Sequence, residues 1–164
     1  MRVYHGTTMI VEHPLVNVGR KNLDFGNGFY LTDREEQAVS WVSRPINKGK
    51  RQFVNEYEFD LRAAINEGFR HLRFDTYDLN WLNFVVTNRK GGNEWAKYDI
   101  IEGGIANDRV FNTIELYSDG LISAQEALQR LIYEKTNNQI CILNQTVVDR
   151  HLRFIQANEF SHDT

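Results

Sequence analysis

Little in this chain offers covalent bracing or a metal cage. One cysteine, Cys141, cannot build an intramolecular disulfide framework. Its neighbours Ile140, Ile142 and Leu143 make it read as a small buried hydrophobe rather than a nucleophile. The five histidines have no second His or Cys at ligand spacing, so no metal site is predicted. Positive charge is not in excess: 19 Lys and Arg against 22 Asp and Glu give a net charge of −3. The bulk basic field that usually draws a protein to nucleic acid is therefore absent, although a nucleic-acid partner is not excluded. No apolar run approaches the length of a membrane span, and the amino terminus carries no basic segment followed by an apolar one. The expectation is a cytoplasmic protein with no membrane partner. There are no repeats, linkers or low-complexity stretches, so residues 1–164 are expected to form a single domain with a sizeable core.

The pattern of the rest is mixed. Met9 to Asn22 has no clean period and reads as loop with room for one helical turn. A capping box, Thr32-Asp33-Arg34-Glu35, predicts a helix carrying Ala38, Trp41 and Val42 on one face and ending at Pro45. Phe53, Tyr57, Phe59 and Leu61 keep a period of two, broken at Asn55, which predicts a long half-exposed strand. Leu72 to Phe74 is a short strand; Asp78 caps a helix to about Asn88, and Arg89 to Asn93 is a glycine-rich loop. Asp99 to Glu102 is a buried strand. Asn107 starts a helix expected to turn Val110, Phe111, Ile114 and Tyr117 inward, and Ser123 starts another with Ala124, Ala127, Leu128, Leu131 and Ile132 inward. Gln139 to Leu143 is a strand, Thr146 to Leu152 a short helix, and Phe154 to Phe160 a closing strand before a polar tail. Without a regular βαβ rhythm, the class is α+β with a largely antiparallel sheet.

Two strand ends carry the chemistry. Tyr4-His5-Gly6-Thr7 sets an imidazole and a hydroxyl around a residue with no Cβ, so a ligand could reach the backbone amide and carbonyl of Gly6. That is a contact surface for a flat polar amide. Phe25-Gly26-Asn27-Gly28-Phe29-Tyr30-Leu31-Thr32 is a tight turn running into an aromatic strand. Phe29 and Tyr30 must point to opposite faces of it, so a core-facing Phe29 leaves the Tyr30 ring for a ligand. His5 and Tyr30 also have ordinary structural readings, as a satisfied histidine and a core aromatic, and Trp41 reads equally as core or as a stacking ring.

In this order and spacing the two segments resemble the ADP-ribosyltransferase superfamily, in its diphtheria-toxin and poly(ADP-ribose) polymerase branch. The resemblance implies a split, two-sheet antiparallel core with surrounding helices, and NAD as cosubstrate without a metal. It implies that His5 bonds ribose hydroxyls, that the Gly6 backbone takes the nicotinamide carboxamide, and that Tyr30 stacks on the ring. Thr7 and Gly28 complete the two motifs, and Trp41 falls at a second stacking position. Ala38 stands where the family has a small hydroxyl residue. Gln139 aligns with the catalytic Glu that opens the family's third strand; an amide there can orient the ribose but carries no full negative charge.

The chain is also similar along nearly its whole length to a bacterial domain family of unknown function, family 3990, whose members sit beside small antitoxin-like proteins. Together these resemblances imply a mono-ADP-ribosyltransferase of the His-Tyr-Gln type, with catalytic His5, Tyr30 and Gln139. The acceptor would be a protein or a nucleic acid, selected by Lys135 to Asn138, and the enzyme would be a toxin held by an antitoxin protein. The rival expectation is a catalytically weak or inactive NAD or ADP-ribose binding module that acts through a protein partner.

Overall fold

The computed structural model describes residues 1–135 and 137–160. Thr136, within the segment expected to select the acceptor, and the tail from Ser161 lie outside them. The described residues form β1 (Arg2–Thr7), β2 (Phe29–Thr32), α1 (Glu35–Val42), β3 (Gln52–Phe59), α2 (Leu61–Glu67), β4 (His71–Arg73), α3 (Leu79–Arg89), β5 (Ile100–Gly104), α4 (Asp108–Ser118), α5 (Ala124–Leu131), β6 (Asn138–Ile142), α6 (Gln145–His151) and β7 (Leu152–Phe160). None of these helices is long and apolar enough to cross a membrane.

The α+β class is as expected, but the two-sheet core is not what forms. All strands join one seven-stranded mixed sheet, in the order β4-β5-β6-β2-β1-β3-β7, with β4 and β5 parallel and the other pairs antiparallel. The join between β1 and β2 is nonetheless slight. β1 runs beside β3 from Arg2↔Glu58 to Thr7↔Phe53, and β2 beside β6 from Phe29↔Ile142 to Thr32↔Gln139, whereas β1 and β2 share only Tyr4↔Thr32. The sheet thus has an internal seam.

Side-chain alternation sends the two halves of the core to opposite faces. Val3, Phe29, Leu31, Tyr57, Ile140 and Ile142 pack on one face with Ala64 of α2 and Val147 and Val148 of α6. Ile101 and Cys141 point to the other, where Trp81, Leu82 and Val85 of α3, Val110 and Ile114 of α4, and Ala127 and Leu131 of α5 cover them. Cys141 is fully buried there, which pushes its thiol well above the ordinary value. Helices α3 to α5 begin at side-chain caps, Asp78 to Trp81 N (2.8 Å), Asn107 to Val110 N (2.9 Å) and Ser123 to Glu126 N (3.1 Å).

Several local expectations give way to tertiary structure. Thr32 does not cap α1: it is held in β2 opposite Gln139, its hydroxyl accepts from Arg34 N (3.1 Å), and the helix starts at Glu35 with no side-chain cap bond. β3 is buried rather than half exposed, because β1 and β7 flank it and α1 packs over it. The chain after Phe59 enters α2, where Asp60 caps Ala63 N, rather than extending the strand to Leu61. Phe111 and Ile132, expected inward, are 43% and 75% exposed. Phe111 lies on the outer side of α4 beneath the Arg89 guanidinium, and Ile132 follows the last turn of α5, beyond the core.

Candidate active site

The three predicted motifs lie on adjacent strands, β6, β2 and β1. Their backbone geometry singles out Gly6. Met1 and Phe59 exchange bonds in both directions, each 2.8 Å, which makes them a hydrogen-bonded pair of the β1/β3 ladder. Such pairs alternate, so Val3, His5 and Thr7 also turn their peptide groups to β3, while Tyr4 and Gly6 turn theirs towards β2. The Gly6 N–H and C=O therefore face the seam. On the other side of Gly6, a Cβ would stand 1.9 Å from the carbonyl oxygen of Ala38, so α1 seats on this glycine and no larger residue fits. Ala38 is fully buried in that contact, whereas Trp41 is only half-buried and belongs to neither core cluster.

His5 crosses the seam with its side chain. Nδ1 lies 2.7 Å from the carbonyl oxygen of Tyr30, which can only accept, so Nδ1 carries the proton and Nε2 is left as an acceptor. The ring packs on Phe29 with centroids 4.4 Å apart, and burial lowers its pKa, which keeps it neutral at pH 7. Behind it, buried Asn55 ties the loop after β1, donating to Met9 O (3.1 Å) and accepting from Val11 N (2.8 Å).

Tyr30 is not free in the way its alternation with Phe29 suggested. Phe29 does face the core, but the opposite face is packed too. The Tyr30 hydroxyl donates to Gly26 O (2.7 Å) and accepts from Phe25 N (3.0 Å), closing the glycine turn, and burial pushes its phenol well above 10. Gly28 fits against β6, where a Cβ would meet Cys141 Sγ and the Ile142 oxygen, each at 2.6 Å; the close approach to β6 already accounts for that glycine. Gln139, on the same face as Tyr30, is 5% exposed. His5 lies on the opposite face with Val3 and Phe29, and Gln139 lies one strand beyond the seam on β6, so the three side chains do not form one cluster. Thr7 ends β1 opposite Phe53 and is half-buried.

A family model described as "Protein of unknown function (DUF3990)" matches residues 1–154. The chain belongs to this family. No match was found among curated proteins or among solved structures.

In this DUF3990 domain the structure adds residues that sequence reading passed over. The Asp24 carboxylate accepts from Arg89 Nε (2.6 Å) at the end of α3 and from Gln139 Nε2 (3.5 Å), and its carbonyl accepts from Asn88 Nδ2 (2.9 Å). Asp24 precedes the Phe25-Gly26 turn, yet its partners are 65 and 115 positions away, which no local pattern reveals. Two open clefts adjoin each other at Asp75, Thr76 and Asp78. One, of about 650 Å³, is lined by Phe74, Asn83, Phe84 and Tyr98; the other, of about 870 Å³, runs between Arg34, Asp78, Leu131, Lys135 and Asn137 at the approach to β6. Arg34 Nη1 donates to Asn137 Oδ1 across the second (2.8 Å). No cluster of three or more His, Cys, Asp or Glu among the described residues is placed to hold a metal.

Proposed function

We propose that this domain is a mono-ADP-ribosyltransferase that consumes NAD at the β1/β2 seam. One observation carries the reading: the strands bearing the three motifs are neighbours, and the Gly6 peptide faces the one join in the sheet that is held by a single residue pair. A strand edge with donor and acceptor side by side matches a primary carboxamide. In this reading Gly6 binds the nicotinamide amide, Trp41 offers its accessible ring for stacking, Thr7 flanks the strand end, and His5 Nε2 accepts from a ribose hydroxyl. Tyr30 holds the glycine turn and shapes the wall beside the ring. The bond between the nicotinamide nitrogen and ribose C1′ breaks, and its electron pair leaves with nicotinamide. The positive charge left on the ribose is met by an acceptor nucleophile, which bonds C1′ and releases a proton. Gln139 orients the ribose through its amide oxygen. The acceptor, a protein or nucleic acid, would enter by the cleft of about 870 Å³ beside Lys135 and Asn137. An enzyme acting on its own cell in this way would be a toxin requiring an antitoxin protein.

The closed Tyr30 hydroxyl and the amide at Gln139 favour a second reading, a domain that binds NAD or ADP-ribose and acts through a protein partner. Thermal denaturation tests the shared element. NAD at a hundred times its Kd should stabilise the fold by about 2.7 kcal/mol. Trp41→Ala should remove that shift when each protein is compared with its own NAD-free melting temperature. Absence of any shift at millimolar NAD sinks both readings, and a shift without release of nicotinamide selects the second.

A further inference from the structure

Gln139 is a buried amide with one long contact, 3.5 Å, to the Asp24 carboxylate. A carboxylate can accept but not donate, so the contact with Asp24 Oδ2 must be made by Nε2, and Oε1 is turned away from it. Asp24 is itself held. Its side chain is 13% exposed, Arg89 Nε meets the second oxygen, and the Asn88 amide fixes its backbone carbonyl. The carboxylate is therefore a fixed negative charge one hydrogen bond behind the amide.

We propose that Asp24 is the positioning residue for Gln139 and that the pair together does what a single glutamate would do at the start of β6. This deepens the reading above and rests on it. Asp24 aims Oε1 at the ribose hydroxyl and polarises the amide, so that oxygen becomes a stronger acceptor as positive charge builds on C1′. The pair carries one negative charge. Placed on the other partner, with the amide at position 24, the same charge should serve again.

The experiment uses the full chain and NAD hydrolysis, in which NAD and water give ADP-ribose, nicotinamide and a proton. Asp24→Asn should lower kcat about tenfold or more while KM stays within about threefold, because a lost aim weakens the transition state more than ground-state binding. Gln139→Glu alone should bring no gain, since it sets two carboxylates face to face. The double variant Asp24→Asn/Gln139→Glu should return kcat to within about threefold of the wild type. An unchanged kcat in Asp24→Asn, or a double variant no better than that single one, overturns the proposal. Asp24→Asn also leaves Arg89 without its counter-charge. Should that variant not fold, Asp24→Glu decides: it keeps the charge for Arg89 but displaces the carboxylate by one methylene, so kcat should fall while KM stays within about threefold, and an unchanged kcat overturns the pairing. Wild-type protein that neither binds nor cleaves NAD removes the proposed function and this inference with it. Cleavage that is indifferent to Asp24 removes this inference alone.

Discussion

His5 spends its protonated nitrogen on the Tyr30 carbonyl, and burial holds the ring neutral. The cost appears in acid. With its pKa below the ordinary 6.5 in the folded state, the unfolded chain takes up the proton more readily, so His5 makes stability rise with pH in this window. The contribution is complete above pH 6.5 and is lost as pH falls from there through the folded-state value. Urea denaturation between pH 7.5 and 5, in steps of about half a unit, should therefore show a steeper acid loss in the wild type than in His5→Gln. Equal slopes would mean that His5 titrates alike in both states. The placing of His5, Gly6 and Tyr30 at strand ends was legible in the sequence because short motifs carry them. The face each side chain takes was only half legible: alternation separated Tyr30 from Phe29, but not the closure of the Tyr30 hydroxyl on its own turn. The contacts of Asp24 were not legible, because they exist only where α3, β6 and the glycine turn meet.

At the scale of elements, helices were readable where their signals are local. Asp78, Asn107 and Ser123 cap within three residues, and no strand claims these residues for its own pairing. Thr32 had the same kind of signal and lost it to strand pairing, and β3 lost its exposed face to its neighbours. Helix α4 shows the same limit in its orientation. Ile114 is 1% exposed, whereas Phe111 supports Arg89 at 4.6 Å on the surface. Ile114→Ala should thus cost about 2–5 kcal/mol in denaturant titrations, while Phe111→Ala should cost roughly 1 kcal/mol or less, the worth of an exposed cation–π contact. Comparable losses would put Phe111 back in the core.

For the whole molecule, the seam divides the strands into two leaves, β1, β3 and β7 on one side and β4, β5, β6 and β2 on the other, each complete in its own pairs. That division sets an expectation for assembly in time. Each leaf gathers strands far apart in the chain, so its loop closures are already slow. The leaves also share the core of Val3, Phe29, Leu31, Tyr57 and Ile140, but their strand-to-strand join is one residue pair and the His5 bridge, which adds little until both leaves exist. The join should then be absent from the folding transition state. In stopped-flow dilution experiments, His5→Ala should speed unfolding and leave refolding within about twofold; a refolding rate that falls in full proportion to the lost stability would place the join in the nucleus instead. The line along which a dinucleotide is proposed to enter would thus be the last part of the sheet to set.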